Sequence, residues 1–288
     1  MCASLLNFVI VVLRGVAQIM LQRNAATGAL FLLALAINSI TVALATLLGS
    51  LIGTVVARLG GFPRGEIEDG LHGFNPALVA IATVHFYALS AAAIVLGLFG
   101  IVFAGLLMRV MQAHSLKPYT FPFVLSVWLM FWVLAPDRSG EAGFAFGGPM
   151  VVDAFFQAFA QVMFQANSLT GLIFLVGIML GSWRCACFAM LGVAMAIAIG
   201  FALGWPGGQI AAGVHGYNAV LAAIALALAS RHVLYLLLGI VLSVVITKAM
   251  LVAALPALTF PFILSTWVAL AVQRQFSGEA GPAKARRD

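Results

Sequence analysis

Charge is what this sequence has least of. Only 8% of its 288 residues are Asp, Glu, Lys or Arg, against about 25% in a soluble domain. With hydrophobic residues at 64% and a mean hydropathy of +1.15, too little polar surface remains to cover a water-soluble particle. The chain is expected to be an integral membrane protein. It also lacks the polar/apolar alternation of an outer-membrane barrel strand. An α-helical bundle is the remaining class, because a helix satisfies its own backbone in lipid. Acidic residues are scarcest, eight in all, and none falls inside a confident span. That disfavours proton or sodium coupling, which normally leaves an intramembrane carboxylate, and it leaves enzymatic acid–base chemistry without players. The three cysteines, Cys2, Cys185 and Cys187, form no framework. Cys185-Ala-Cys187 sits in an apolar stretch without a His or Asp partner, which argues against a metal site. The basic residues are scattered, so the net charge of +6 is no nucleic-acid signal. No metal, cofactor or nucleic acid is expected.

What the sequence does contain, it contains twice. Gly70-Leu71-His72-Gly73-Phe74-Asn75 recurs as Gly213-Val214-His215-Gly216-Tyr217-Asn218. Thr120-Phe121-Pro122-Phe123 recurs as Thr259-Phe260-Pro261-Phe262. Gln18, Asn24, Thr27 and Gly28 recur as Gln161, Asn167, Thr170 and Gly171. The spacing is 143 residues from Gln18/Gln161 to Asn75/Asn218 and 139 at Thr120/Thr259. One half is a diverged copy of the other, with a four-residue difference between Leu78 and Thr120. In so apolar a chain, a duplicated half marks a transporter or channel whose pathway lies where the repeats meet.

The first membrane repeat is placed at 1–135 and a Gly/Pro-rich linker at 136–152, with Gly140, Gly143, Gly147 and Gly148. The second repeat covers 153–276 and a basic tail 277–288. Spans of roughly 20 residues allow about ten crossings. Lys284, Arg286 and Arg287 place the tail in the cytoplasm by the positive-inside rule. The loop near 136–153, with Asp137, Arg138, Glu141 and Asp153, suits the other face, so each repeat crosses an odd number of times and the two are inverted. No cleavable signal is expected, since the first apolar run lacks a basic start and Arg14 interrupts it. Residues 4–21 and 154–166 are short apolar segments that each carry a glutamine at the corresponding place. They point to a re-entrant helix; an interfacial helix with a wet polar side is the alternative. The runs 28–58 and 171–203 are too long for one span and are expected to break. They end in Gly/Pro corners at Gly60-Gly61-Phe62-Pro63 and Leu203-Gly204-Trp205-Pro206. Pro122 and Pro261 either interrupt a helix or open its first turn, and both choices release backbone carbonyls at membrane depth.

The recurring intramembrane groups are neutral: Gln18 and Gln161, Asn75 and Asn218, Thr120 and Thr259, Ser126 and Ser265. Amides, hydroxyls and carbonyls beside Phe, Tyr and Leu suit a small, neutral, hydrogen-bonding solute. The plainer alternative is interhelical glue worth about 0.6 kcal/mol per group. Asn75 and Asn218 are also candidate helix caps. His72 and His215 recur too; they are read as neutral, hydrogen-bonded histidines near the corners, with pH sensing as the alternative. His85, His114 and His232 do not pair across the repeats and are given no role.

These motifs resemble those of the urea transporter family, which carries a duplicated Leu-Pro-x-x-Thr-x-Pro-Phe and a duplicated Gly-x-x-Gly-Phe-Asn. Leu255 to Phe262 matches the first pattern at every fixed position, and Leu116 to Phe123 departs from it at Lys117. Gly70 to Asn75 matches the second, and Tyr217 replaces its Phe in the other copy. Ala17-Gln18-Ile19 and Ala160-Gln161-Val162 look like the family's paired pore glutamines. The resemblance runs from about residue 14 to 270. It implies an all-α membrane protein of two inverted tandem repeats, each with about five helices and a re-entrant half-helix. It implies a homotrimer in the cell membrane, with a pore through each protomer that passes urea passively. Carried over, Phe74 and Leu78 with Leu21 shape one slot, and Tyr217 and Leu221 with Phe164 the other. Gln18 and Gln161, beside Ile19 and Val162, anchor two ladders of oxygens, and Thr120 and Thr259 supply central hydroxyls. Leu21 stands where the family usually has an aromatic. The alternatives are a channel for other small neutral amides or ammonia, motivated by Leu21 and Tyr217, and an ion-coupled secondary transporter.

Overall fold

The computed structural model describes residues 2–138, 144–230 and 232–276. The tail with Lys284, Arg286 and Arg287, and Gly140, Glu141 and Gly143 of the linker, lie outside them. The described residues are helical and contain no strand. The first half runs α1 (Cys2–Ala17), a 3₁₀ turn (Gln18–Met20), α2 (Ala25–Asn38), α3 (Ile40–Leu59), α4 (Arg64–Glu68), α5 (Phe74–Phe86), α6 (Ala91–Ala113) and α7 (Phe121–Val133). The second repeats that order as α8 (Met150–Ala160), a 3₁₀ turn (Gln161–Met163), α9 (Ser168–Gly181), α10 (Trp183–Ala202), α11 (Gly207–Ala211), α12 (Tyr217–Ala229), α13 (Val233–Val252) and α14 (Phe260–Phe276). The four-residue difference has two sources. One residue is in the loop before α6, and three lie in α6 itself, which has 23 residues against 20 in α13.

The breaks fall where the side chains and backbone dictate. Each long apolar run divides at a serine, Ser39 or Ser182, held extended at φ −156° and −161°. Each accepts the N–H of the residue three positions on, Val42 or Cys185, as an N-cap does. Asn24 and Asn167 cap α2 and α9 in the same way. Pro122 and Pro261 are the second residues of α7 and α14, so they open the helices, where a missing N–H costs no intrahelical bond.

Among the described residues four helices, α3, α6, α10 and α13, are long and apolar enough to cross a membrane, giving up to six spans if each bent pair counts as one. The bent pairs are α1 with α2 and α8 with α9, each turning through 75°, consistent with re-entrant segments. Against the expected ten crossings, the other apolar helices are short. Helices α5, α7 and α12 have 13 residues each, or about 20 Å of rise against a hydrocarbon core of about 30 Å. None of the three is long enough to span that core by itself.

Helices α5 and α12 form the centre. Every residue from Phe74 to Thr83 and from Asn218 to Ala227 is buried, as expected of a helix apolar on all sides. Helices α3 and α6 flank α5, and α10 and α13 flank α12. The halves meet along α2 and α9, where the rings of Phe31 and Phe174 lie 4.9 Å apart. One expectation is corrected here. The charged loop expected near 136–153 ends sooner: α8 begins at Met150 and buries Asp153 in its first turn. Its carboxylate accepts from Ser168 Oγ at 2.7 Å and from Phe146 N at 2.6 Å. These two donors compensate its burial and join the starts of α8 and α9.

Candidate functional site

The two halves share five pairs of left-handed backbone positions: Leu21/Phe164, Gly61/Gly204, Gly70/Gly213, Ser115/Ala254 and Tyr119/Leu258. The non-glycine members matter most, because φ between +44° and +59° at Leu, Phe, Tyr, Ser or Ala is sterically costly. Such strain persists only where the surroundings impose it, and it clusters at functional sites. Two of these pairs, Leu21/Phe164 and Tyr119/Leu258, flank the groups singled out in the sequence.

Leu21 and Phe164 end the two 3₁₀ turns. Gln18 and Gln161 begin those turns and point away along the corners: Gln18 Nε2 donates to Asp69 O at 2.9 Å and Gln161 Nε2 to Ala212 O at 3.2 Å. The glutamines thus tie the re-entrant tips to the turns before α5 and α12. Ile19 and Val162 are buried. Among the described residues no backbone donor outside the helices reaches their carbonyls. At each corner a glycine lets the backbones meet. Gly70 and Gly213 have φ +78° and +68°, and a Cβ there would lie 2.4 Å from Gly15 N or Ala158 N.

Tyr119 and Leu258 precede α7 and α14, and the motif asparagines hold them in place. Asn75 Nδ2 donates to Tyr119 O at 3.1 Å, and its Oδ1 accepts from Phe123 N at 3.1 Å. Asn218 does the same with Leu258 O at 3.3 Å and Phe262 N at 3.2 Å. The asparagines therefore serve the first turns of α7 and α14 rather than the helices on which they stand. This clamp fixes the next residues, Thr120 and Thr259, whose hydroxyls lie 2.7 Å apart. Both are buried, at equivalent positions, so the pair sits where the two copies converge. Reciprocal bonds brace the same junction: Trp128 Nε1 to Pro256 O and Trp267 Nε1 to Lys117 O, each 2.9 Å. The Lys117 side chain is exposed, so the residue contributes its carbonyl.

The remaining candidates divide unevenly. Phe74, Leu78 and Leu221 are buried, while Leu21 and Phe164 are half-buried. Tyr217 donates its hydroxyl to Leu258 O at 2.7 Å, a carbonyl that also accepts from Asn218; Phe74 offers no such donor. Phe164 packs across the halves, stacked on His85 at 4.9 Å and edge-on to Phe86 at 5.4 Å. Sequence reasoning gave His85 no role because it lacks a counterpart, and its partner comes from the other half, where spacing carries no signal. The recurring histidines differ. His72 Nε2 lies 3.1 Å from Glu66 Oε2. His215 is buried with neither nitrogen partnered, against the expectation of a hydrogen-bonded group, because Gln209 replaces Glu66 and accepts from Lys248 instead.

Short helices, strained turns and converging neutral polar groups make an arrangement chemically able to replace the hydrogen bonds of a small uncharged solute one at a time. Comparison with known proteins gives the family. The family model described as "Urea transporter" matches residues 9–274. "Urea transporter 1" of Ovis aries is 28% identical over 298 residues, covering 91% of this chain and 76% of that protein. "Urea transporter 1" of Rattus norvegicus is 27% identical over 291 residues, with the same coverage.

Proposed function

This chain belongs to the urea transporter family, a family of non-enzymatic multi-pass membrane proteins, and from that premise we propose that it is a bacterial-type, passive urea channel. The observation that carries this reading is the Thr120–Thr259 hydroxyl pair, 2.7 Å apart and buried where the starts of α7 and α14 meet. Urea is planar and uncharged, with four N–H donors and one carbonyl. Entering a narrow pore strips its water, and each unreplaced hydrogen bond costs about 1–3 kcal/mol. Gln18 and Gln161 anchor the two re-entrant tips, and the Ile19 and Val162 carbonyls offer acceptors beside them. The threonine hydroxyls bridge the middle. Leu21, Phe74 and Leu78 form one slot and Phe164, Tyr217 and Leu221 the other. These apolar walls restrict thickness and favour flat molecules. An ion has no partner charge here, so its desolvation goes uncompensated.

The repeats are inverted, three protomers assemble with one pore each, and the protein lies in the cell membrane with its basic tail in the cytoplasm. Uptake of labelled urea into proteoliposomes, with and without proton and sodium ionophores, tests the passive reading. Uptake indifferent to ionophores supports it. Uptake that saturates and collapses with an ion gradient assigns the protein to coupled transport. Amide flux equal to or faster than urea flux favours a broader amide channel, which Leu21 and Tyr217 motivate.

A further inference from the structure

We infer that the corner formed by α1, α3 and α4 binds the anionic headgroup of a membrane phospholipid. A cavity of about 810 Å³ opens there, lined by Arg14, Arg58 and Arg64 against a single acidic group, Glu68. Its floor is apolar, with Val11, Phe62 and Ile67. The arginines are only partly engaged. Arg14 donates to the backbone carbonyl of Glu68 at 2.8 Å, and Arg58 lies over the Phe8 ring at 4.5 Å. Among the described residues neither Arg58 nor Arg64 forms an ion pair; of the nearby acids, Glu66 pairs with His72 and Asp69 with Arg23, which leaves Glu68 alone against three arginines.

The second half supplies an internal control. It builds the same corner from α8, α10 and α11 and keeps the apolar floor, with Trp205 for Phe62 and Ile210 for Ile67. Yet Gln157, Phe201 and Gly207 stand where the first half has Arg14, Arg58 and Arg64. The fold therefore does not require the three charges. A cation that the fold does use is duplicated: Arg109 lies over the Phe62 ring at 5.8 Å and Lys248 over Trp205 at 5.1 Å.

Position selects the ligand. Arg58 is in the last turn of α3, a helix long and apolar enough to cross a membrane, which puts it at headgroup depth. Leu59, Leu5, Leu6 and Val9 around it are exposed, a surface for acyl chains. Guanidinium forks match phosphate oxygens, and basic pockets at this depth hold anionic headgroups.

The test uses the whole chain in detergent and follows thermal unfolding with added dioleoylphosphatidylglycerol, dioleoylphosphatidylcholine or inorganic phosphate. The comparison is with a double variant bearing the second half's residues, R58F/R64G. The wild type is expected to gain a saturable stabilisation from phosphatidylglycerol that phosphatidylcholine and phosphate do not match. In the variant, half-saturation moves up about thirty-fold, from roughly 1 kcal/mol per arginine. On the wild type alone, the phosphatidylglycerol effect should shrink as salt rises, which keeps the test decisive if the variant does not fold. Equal stabilisation by both lipids, or an unchanged midpoint in the variant, overturns the site. Equal stabilisation by inorganic phosphate overturns the lipid assignment.

Discussion

Replacing Thr259 by Val removes one hydroxyl from the middle of the proposed pathway while keeping the shape of the side chain. The structure makes this a clean perturbation. Thr259 Oγ1 bonds Thr120 Oγ1 at 2.7 Å, and its backbone carbonyl, not its side chain, serves the first turn of α14 by accepting from Ile263 N. Thr120 likewise makes no side-chain cap to α7. The fold is therefore expected to survive, with about 1 kcal/mol lost because the Thr120 hydroxyl keeps no partner. Transport should suffer more. A urea N–H that meets no oxygen at the midpoint adds about 1–3 kcal/mol to the barrier, which slows flux about 5- to 150-fold. Stopped-flow light scattering on proteoliposomes reads this directly, with circular dichroism and elution volume confirming folded protein. The double variant T120V/T259V separates the two roles of the pair. If the hydroxyls are only glue, removing both restores stability and leaves flux unchanged. If they line the pathway, stability recovers while flux falls further. Undiminished flux in well-folded T259V would remove Thr259 from the route.

Three other outcomes are expected. Phe164→Leu, which gives the second slot the residue of the first, should raise the acetamide-to-urea flux ratio roughly tenfold, the discrimination of one apolar wall; an unchanged ratio would mean that Phe164 sets no selectivity. Gly171→Ala should destabilise by about 1–3 kcal/mol, because its Cβ would stand 1.9 Å from Phe156 O; an unshifted unfolding midpoint in detergent would contradict so close a crossing. Tyr217→Phe should cost about 1 kcal/mol by removing one of the two donors to Leu258 O while leaving urea flux intact, and loss of flux would place the hydroxyl itself in the pathway.

Much of the architecture was legible because duplication writes it twice. The glutamine-bearing segments became the bent pairs, and the overlong runs broke, at Ser39 and Ser182. Proline chemistry marked Pro122 and Pro261 as either a break or a first turn, and the structure takes the first-turn choice, which spares a hydrogen bond. What escaped depends on contacts between distant residues or on charge compensation. The asparagine clamp is one case: Asn75 serves a helix that starts 46 positions later in the chain, and nothing local reveals which helix it caps. The His85–Phe164 stack joins different halves, so the repeat comparison that exposed other pairs discounted His85. Asp153 looked like a loop charge because its burial depends on Ser168 and the Phe146 amide.

Stopped-flow light scattering on proteoliposomes of the whole chain, under gradients of urea, acetamide and glycerol and with no ion gradient, decides whether the protein is a selective passive urea pore. Fast urea re-equilibration is expected, with glycerol at the rate of empty liposomes. No acceleration of urea by folded, reconstituted protein would contradict it, and the glutamines and threonines would then be structural ties between helices.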